Sequence, residues 1–345
     1  MAAELTIGMA TFNDAPGVWF TIQNIRLQNP ELLDRLEFVV IDNNPHSPHG
    51  EELRNFIPKV RNARLVPRTL KQGTSVRNAV FEQARGRHVL CLDCHVLLRH
   101  GVLGQLLQFF REHPDSMDLY QGPLWHDDMG ADSIETQFDP VWSDRMFGTW
   151  GKDSRGIDPE AAPFEIPSQG LGLFACRKDA WLGFHRLFRG FGGEEGYIHE
   201  KYRQAGRRCW CLPFLRWVHC FMRPNRPGYP NRYEDRAYNY FVGWHELGLP
   251  EEPILNHFQE KIPRNRLLQI QAQAHQDLRK PPVVESPEPV TGAEHYRPPE
   301  RLVQHLLQLP PQQQNRSLTA LRRSNEAVYR VIRAKMEEAK KVGTS

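Results

Sequence analysis

Residues 88 to 95, with the sequence His-Val-Leu-Cys-Leu-Asp-Cys-His, indicate the fold class of this chain. The apolar run from Val89 to Leu92 predicts a short buried strand, which ends at once in Asp93 and His95. Side chains two positions apart in an extended chain face the same side, so Asp93 and His95 are expected to point together. Such a pair at the carboxyl end of a buried strand could bind Mn²⁺ or Mg²⁺, although a strand that simply ends in water gives the same pattern.

The composition is that of an ordinary globular protein. The chain has 345 residues, a formal net charge of +3 and 25% charged residues, which allows a sizeable core and does not by itself indicate nucleic acid. The N-terminal sequence has no signal-peptide pattern and no apolar run reaches membrane-spanning length, so we expect a soluble cytosolic protein. Cys91 and Cys94 form a CxxC pair, but opposite strand faces do not suit a zinc knuckle, and we expect buried free thiols.

Strands and helices alternate from the start of the chain. Leu5 to Ala10 is predicted as a strand that leads into the polar turn Thr11 to Asp14, and a helix from Pro16 through Leu27 follows. Leu36 to Ile41 is the next predicted strand and ends in Asp42-Asn43-Asn44-Pro45. Strand, helix and strand in this order predict a βαβ unit.

A glycine-containing turn precedes the next predicted helix. Residues 73 to 75, Gly-Thr-Ser, lead into a helix expected from Val76 to Ala84, with Arg77 in its first turn. This arrangement suits a phosphate group, and it equally suits an ordinary capped helix.

The alternation continues on both sides of the Asp93 strand and then breaks. A third strand is expected at Arg61 to Val66, a helix at residues 101 to 112 and a strand at Leu119 to Leu124. From Trp125 to Pro167 the pattern is irregular, which is typical of a functional loop or lid. Residues 126 to 128, His-Asp-Asp, are expected in a solvated part of this loop.

Two glycine-rich stretches mark the second half of the domain. Ser168 to Ala175 would let the backbone approach a ligand before a strand resumes, and a helix is expected near Arg177 to Phe184. Gly190 to Tyr197 leads into a helix that begins with Glu194 and Glu195. These carboxylates could complement the helix dipole or act in catalysis.

Taken in order, these motifs resemble those of the GT-A nucleotide-sugar glycosyltransferases over roughly residues 4 to 250. The matching series is Thr11-Phe12-Asn13-Asp14, Asp42-Asn43-Asn44, Gly73-x-x-x-Arg77-Asn78, Asp93-x-His95, Gly192-Gly193-Glu194-Glu195 and the late His219. The resemblance is strongest to the polypeptide N-acetylgalactosaminyltransferase-like branch of the family 2-type glycosyltransferases, in which Asp-x-His replaces Asp-x-Asp. It implies an α/β GT-A fold, Rossmann-like, with a mixed and mostly parallel sheet flanked by helices and a helical C-terminal extension.

The resemblance also implies a role for each matched position. The metal ligands would be Asp93, His95 and His219, holding Mn²⁺ (or Mg²⁺). The nucleotide contacts would be Thr11, Phe12, Asn13, Asp42, Gly73 and Arg77. Gly172 and Asp93 would lie beside the donor sugar, and Glu194 and Glu195 would be the catalytic pair. In inverting relatives the second carboxylate, here Glu195, is the base, whereas the retaining branch needs none, so the stereochemical outcome stays open.

Such a protein would transfer a sugar from a nucleotide-sugar, with UDP-sugar favoured, to an acceptor hydroxyl. A saccharide or lipid-linked glycan is the first expectation for the acceptor. A 5-hydroxymethylated pyrimidine in DNA is an alternative that rests on fold-level analogy, and a non-catalytic nucleotide-sugar-binding or scaffold protein is a further one. From the sequence we expect no signal anchor and no lectin domain after residue 250, and not the full cysteine set of the secretory enzymes, which puts a peptide acceptor in doubt.

The sequence divides into four predicted segments. A glycosyltransferase domain spans 1–250, a helical extension 251–279 with a helix at Arg264 to Leu278, a Pro-rich linker 280–300, and a basic amphipathic helical region 301–345. The last segment carries an apolar stripe at Leu318, Leu321, Asn325, Val328 and Ile332. This stripe could pack on the domain, mediate self-association, or lie on an anionic membrane or on nucleic acid.

Overall fold

The fold is built on a βαβ unit at the start of the chain. The structure is a computed structural model that describes residues 3–69, 73–128, 134–144, 146–222, 229, 231–281, 300–324 and 326–342. Strand β1 (Leu5–Thr11) pairs in parallel with β2 (Leu36–Asp42), and α1 (Ala15–Gln28) connects them. The Asp14 side chain caps α1 by accepting a hydrogen bond from Gly17 N at 3.0 Å.

The strand order reverses on the other side of β1. Strand β3 (Ala63–Pro67) follows α2 (Pro48–Phe56) and extends the sheet beyond β2, whereas β4 (His88–Asp93) follows α3 (Asn78–Gln83) and pairs with the free side of β1. Open α/β sheets bind ligands at the carboxyl ends of the strands where the order reverses. Asp93 therefore ends its strand at the position that this fold uses for ligands.

The sheet is mixed and mostly parallel. Its order is β11-β13-β6-β12-β4-β1-β2-β3. Strand β12 (Leu173–Arg177) runs antiparallel to both β4 and β6 (Leu119–Gln121); β13 (Cys209–Cys211) is parallel to β6, and β11 (Phe164–Glu165) is antiparallel to β13. This architecture confirms the predicted fold class.

Helices cover both faces of the sheet. The remaining helices of the first 280 residues are α4 (Val102–Glu112), α5 (Glu194–Gln204), α6 (Tyr233–Glu246), α7 (Glu252–Phe258) and α8 (Arg264–Leu278). Alternate residues of β4 enter two separate apolar clusters: Val89 and Cys91 pack with α3 and α5 to α8, whereas Leu90 and Leu92 pack with α1, α2 and α4. Burial on both faces explains why β4 is apolar without alternation.

Several predicted elements differ from the observed ones. The single strand expected at Leu119 to Leu124 is two strands in different sheets, because Gly122 and Pro123 end β6 before β7 (Leu124–His126) begins. The helix expected from Val76 begins as a 3₁₀ turn at Gly73–Arg77, and only a 3₁₀ turn, Lys178–Ala180, occupies the helix expected near Arg177 to Phe184.

The segment predicted as an irregular lid contains regular structure instead. Besides β7 and β11 it holds β8 (Ile134–Glu135) and an antiparallel hairpin of β9 (Gln137–Ser143) and β10 (Met146–Gly151). Strand β7 belongs to a second sheet with the order β5-β14-β7-β8, in which β5 is Val96–Leu98 and β14 is Trp217–His219. The expected irregularity is therefore wrong for the described part of this segment, and its role as a functional loop or lid stays a prediction.

The C-terminal helices are more numerous than predicted. Helix α8 has the predicted bounds, and its Leu267 and Ile270 share an apolar cluster with α6 and α7. The helices α9 (Glu300–Gln308), α10 (Pro311–Ser324) and α11 (Glu326–Val342) share a separate cluster that includes Leu318 and Val328. The stripe is thus divided between two helices; Asn325 and most of the predicted linker, residues 282–299, lie outside the described residues, and the domain boundaries stay predictions.

Two further expectations concern thiols and membranes. All six cysteines belong to the described residues and none of them forms a disulfide; five are buried and Cys220 is partly exposed. Among the helices described, none combines the length and the apolar character needed to cross a bilayer. The cytosolic location stays a prediction.

Phe174 tests whether the core around β4 and β12 stabilises the fold as its packing indicates. The ring is completely buried and lies 5.1 Å from the Trp181 ring, centroid to centroid. We expect Phe174→Ala to lower the free energy of unfolding by about 3–5 kcal/mol, measured by urea denaturation, because it opens a cavity. Leu27→Ala, at a residue that is 78% exposed, is the matched control and should change it by less than about 0.5 kcal/mol. Equal effects in the two variants would contradict this packing.

Candidate active site

Three potential metal ligands meet where two sheets adjoin. Asp93 ends β4, His95 lies in the turn before β5, and His219 ends β14, where it pairs with Val96 of β5. His95 Nε2 lies 3.1 Å from His219 Nε2 and 3.9 Å from Asp93 Oδ2, and His219 Nε2 lies 3.4 Å from the same oxygen. The structure thus brings together all three residues for which the sequence predicts metal binding.

The reason for their proximity differs from the predicted one. Strand β4 stops at Asp93, so the two-residue alternation that was expected to align His95 with Asp93 does not reach His95. The turn at Cys94 and His95 aims the imidazole back toward the strand end instead. The hydrogen bond from Cys220 N to His95 O, at 3.0 Å, holds this turn beside the end of β14.

Asp14 fixes the orientation of His95. Its Oδ2 lies 3.0 Å from His95 Nδ1, and a carboxylate can only accept at this contact when it is ionised. With Asp14 ionised and His95 neutral, this contact places the imidazole proton on Nδ1 and leaves a lone pair on Nε2, which faces His219 and Asp93. A carboxylate that orients a ligating histidine in this way is a common outer contact of protein metal sites.

The three ligand atoms suit a divalent cation. Neighbouring ligands of an octahedral ion with bonds of about 2.1 Å are about 3 Å apart. The observed separations of 3.1, 3.4 and 3.9 Å need only small side-chain movements to meet that geometry. The mixed oxygen and nitrogen donors fit Mn²⁺ well, whereas Mg²⁺ prefers oxygen.

Arg77 connects this group to helix α5. Its Nη2 lies 3.0 Å from Asp93 Oδ1 and its Nη1 lies 3.6 Å from Glu194 Oε1. Burial disfavours the charge of Arg77, but the two carboxylates outweigh that effect and raise its pKa. Burial also opposes ionisation of Asp93, but the Arg77 guanidinium and the two histidines hold the pKa of this carboxyl well below its usual range. Asp93 is therefore ionised, as a candidate metal ligand must be.

Glu194 and Glu195 begin α5 at the end of a glycine turn. Gly193 precedes the helix with a φ of 94°, a conformation that L side chains rarely adopt. Glu194 is fully buried, and neither of its carboxylate oxygens has a hydrogen-bond partner among the described residues. Burial and then the neighbouring Glu194 raise the pKa of Glu195, so this carboxyl accepts a proton more readily than an ordinary glutamate.

Gly172 occupies a crowded position beside the candidate metal ligands. Its carbonyl accepts a hydrogen bond from Asp93 N at 2.9 Å. A Cβ at this position would lie 2.7 Å from the Trp217 ring and 3.3 Å from the His219 ring. Glycine is therefore required for the backbone to pass this close to His219.

The predicted nucleotide contacts fall into two places. Thr11 and Asp42 end β1 and β2 as register partners, and Asn13 accepts a hydrogen bond from Asn44 Nδ2 at 2.9 Å. Phe12 lies in the turn between Thr11 and Asn13 and is partly exposed. Arg77 lies beside Asp93 and Glu194. Gly73 lies instead against the Gly190 turn, where Thr74 N donates to Gly190 O at 3.1 Å.

Two residues that position the glutamates were not predicted. His199 is fully buried, with Nδ1 2.7 Å from Glu195 O and Nε2 2.6 Å from Gln121 Oε1. Asn239, on α6, donates to the carbonyls of Arg189 and Gly192 at 2.8 Å each and so holds the glycine turn. The four-residue spacing of Glu195 and His199 was an available signal, because it places both on one helix face. Asn239 has no local signal.

Comparisons with known proteins agree with this architecture. Residues 6–176 match the model of glycosyl transferase family 2. The chain carries a family 2 glycosyltransferase domain. A crystal structure of GalNAc-T7 with UDP, GalNAc and Mn²⁺ is similar with a TM-score of 0.55 and 14% identity, over 80% of this chain and 55% of that one. This likeness shows the GT-A fold.

Two other observations complete the comparison. A crystal structure of Staphylococcus aureus TarS 1–349 with UDP-GlcNAc is similar with a TM-score of 0.48 and 13% identity, over 99% of this chain and 92% of that one. A search of curated sequences finds no match. This chain spans about half (55%) of the length of the GalNAc-T7 chain.

The family 2 domain contains only part of the candidate site. Asp14, Arg77, Asp93, His95 and Gly172 fall within the matched residues 6–176. Glu194, Glu195 and His219 follow that span and join the site through the second half of the fold.

Replacing Asp14 tests the orientation of His95 without removing the helix cap. Asn caps helices as well as Asp but cannot supply the charge beside His95. We expect Asp14→Asn to weaken Mn²⁺ binding by about 10- to 100-fold, as measured by calorimetric titration of the metal-free protein. Asp34→Asn, at an exposed residue paired with Arg61, should leave binding unchanged. Equal Mn²⁺ affinity in Asp14→Asn and the unmodified protein would exclude this role for Asp14.

Proposed function

We propose that this chain is a metal-dependent glycosyltransferase that moves a sugar from a UDP-sugar to an acceptor hydroxyl. The observation that carries the proposal is the convergence of Asp93, His95 and His219 at the carboxyl end of β4, where the strand order reverses. The family 2 domain supports the reaction class. GalNAc-T7, which shares the fold, was crystallised with UDP, GalNAc and Mn²⁺, and this supports the choice of donor and metal.

The three ligands would hold Mn²⁺ (or Mg²⁺) through Asp93 Oδ2 and the Nε2 atoms of both histidines. A bound divalent cation supplies electrostatic stabilisation for the negative charge that develops on the leaving diphosphate. Arg77 adds a positive charge beside Asp93 and stays ionised, so it can also stabilise the negative charge on the leaving diphosphate. Thr11, Phe12, Asn13 and Asp42 would contact the nucleoside, and Gly73 would hold the Gly190 turn.

Glu195 is better suited than Glu194 to accept the acceptor proton. Glu194 is inaccessible and faces Arg77, which makes it a counter-ion for the guanidinium. Glu195 is slightly exposed and has a raised pKa, as a general base requires near neutral pH. In this proposal Glu195 takes the proton from the acceptor hydroxyl. The oxygen of that hydroxyl forms a bond to the sugar, and the bond between the sugar and the diphosphate breaks.

A saccharide or lipid-linked glycan is the proposed acceptor. Phe221, which is 47% exposed, lies next to His219 with ring centroids 4.1 Å apart, and His126 stacks on it at 5.4 Å. An exposed ring at the site offers a flat apolar surface for a sugar ring. Gly172, beside Asp93 and His219, leaves the backbone close to the position proposed for the donor sugar.

Donor binding should depend on the metal and on its ligands. Titration calorimetry with UDP, GDP and their sugar conjugates should show binding of a UDP compound in Mn²⁺ that is lost in EDTA. Asp93→Asn and His219→Ala should each weaken it by about tenfold or more, because each removes a ligand. Asp115→Asn, at a side chain that is 90% exposed, is the control. Undiminished binding in EDTA and in both ligand variants would refute the metal site.

The pH profile should report Glu195. Burial and the neighbouring Glu194 raise the pKa of Glu195, so its deprotonated, basic form appears only as the pH rises through that raised pKa. The acid limb of the kcat/KM profile should therefore lie at a higher pH than the pKa of about 4.3 of free glutamate. We expect Glu195→Gln to lower kcat by about 100-fold or more and to abolish this limb, while donor affinity is retained. Glu200→Gln, a partly exposed glutamate on the same helix, is the matched control. Full transfer by Glu195→Gln would show that Glu195 is not the base.

A further inference from the structure

A second group of metal-ligating side chains lies on the helical part of the molecule. His245 in the last turn of α6, Glu251 immediately before α7 and His275 in the last turn of α8 come together. Glu251 Oε1 lies 3.1 Å from His245 Nδ1 and 2.9 Å from His275 Nε2. One ligand atom from each residue lies within 4.8 Å of the other two. This group shares no residue with the candidate active site.

We propose that these three residues bind a zinc-class divalent metal ion that clips α6, α7 and α8 together. Two imidazoles and one carboxylate form a common donor set for Zn²⁺, whereas Ca²⁺ and Mg²⁺ prefer oxygen ligands. This inference goes beyond the proposed function and does not depend on it.

The geometry needs little change to accept such an ion. Ligands of a tetrahedral Zn²⁺ with bonds of about 2.0–2.1 Å are about 3.3 Å apart. The separations of 3.1 and 2.9 Å from Glu251 Oε1 to the two histidines must open by only a few tenths of an ångström, and the two histidine nitrogens lie within 4.8 Å of each other. Gln271 Nε2 donates to Glu251 Oε2 at 2.6 Å, which orients the carboxylate and leaves Oε1 for the ion. His245 Nδ1 and His275 Nε2 now contact Glu251 Oε1. If each of these nitrogens carries no proton, its lone pair is available to the ion, and the ion would replace the hydrogen bonds between the three side chains.

Solvent can reach the group, and this favours a site that exchanges its ion. The exposed fractions of the side chains are 52% for His245, 30% for His275 and 14% for Glu251. The fourth position of a tetrahedral ion would therefore be filled by water. The three residues belong to α6, to the position before α7 and to α8, so binding of the ion would stabilise the packing of these helices.

The clip bears on the candidate active site through α6. Tyr238, on α6, donates to Asp277 of α8 at 2.8 Å, and Asn239 beside it holds the Gly192 carbonyl next to the catalytic glutamates. A metal that joins the ends of α6 and α8 would restrain the helix on which this turn depends. The proposed role is structural.

The experiment uses the full-length protein carrying Asp93→Asn and His219→Ala, which removes two ligands of the candidate active site. The metal-free protein is titrated with Co²⁺ and then with Zn²⁺. We expect one equivalent of Co²⁺ with the visible absorption of four-coordinate cobalt, displaced by Zn²⁺, and a rise in Tm of about 5 °C at saturating Zn²⁺. Because no nucleotide is present, failure here is separate from failure of the proposed donor site.

Variants of the clip decide the assignment. His275→Gln and Glu251→Gln, each added to that protein, should lose the cobalt absorption and the Zn²⁺-dependent rise in Tm. His113→Gln, at an exposed histidine directly after α4, should keep the cobalt absorption and the Zn²⁺-dependent rise in Tm. A variant whose Tm is already low without metal is unstable for another reason. In that case His245→Gln is used as the second test of the site. Absence of the four-coordinate absorption, or its persistence in the clip variants, would overturn the proposal.

Discussion

A buried ion pair connects the two halves of the candidate active site. Arg77, at the end of the turn before α3, contacts Asp93 on β4 and faces Glu194 at the start of α5. A buried carboxylate without a cation is costly, so the strand end and the helix start are bound to the same guanidinium. Glu195 follows Glu194 directly. The position of the proposed base therefore depends on the same charge that keeps the proposed metal ligand ionised.

The sequence predicts most of the sheet because its parallel strands are local apolar runs with polar ends. The first, second and fourth strands lie where the apolar residues are, and the Asp14 cap and helix α8 follow equally local rules. Two of the three candidate metal ligands, Asp93 and His95, also come from one short stretch. His219 is 124 residues from His95, so only the resemblance to a family could assign it to the same site.

The misplaced elements have physical causes that periodicity does not detect. Pro123 lacks an N–H and ends β6, but apolar residues on both sides make 119–124 look continuous. The β9–β10 hairpin is partly exposed on both faces, so its polar residues suggested a loop. Helix α6 is buried on nearly all sides and shows no apolar stripe, which hid both the helix and the buried amide of Asn239.

The edge strands of the large sheet affect how readily the protein aggregates in concentrated solution. Its two edge strands, among those described, are β11 with two residues and β3 with five, and β3 ends in Pro67, which has no N–H to donate. Short and proline-ended edges resist pairing with another chain. Aggregation by sheet extension is therefore disfavoured, although the interior of this sheet is almost wholly apolar.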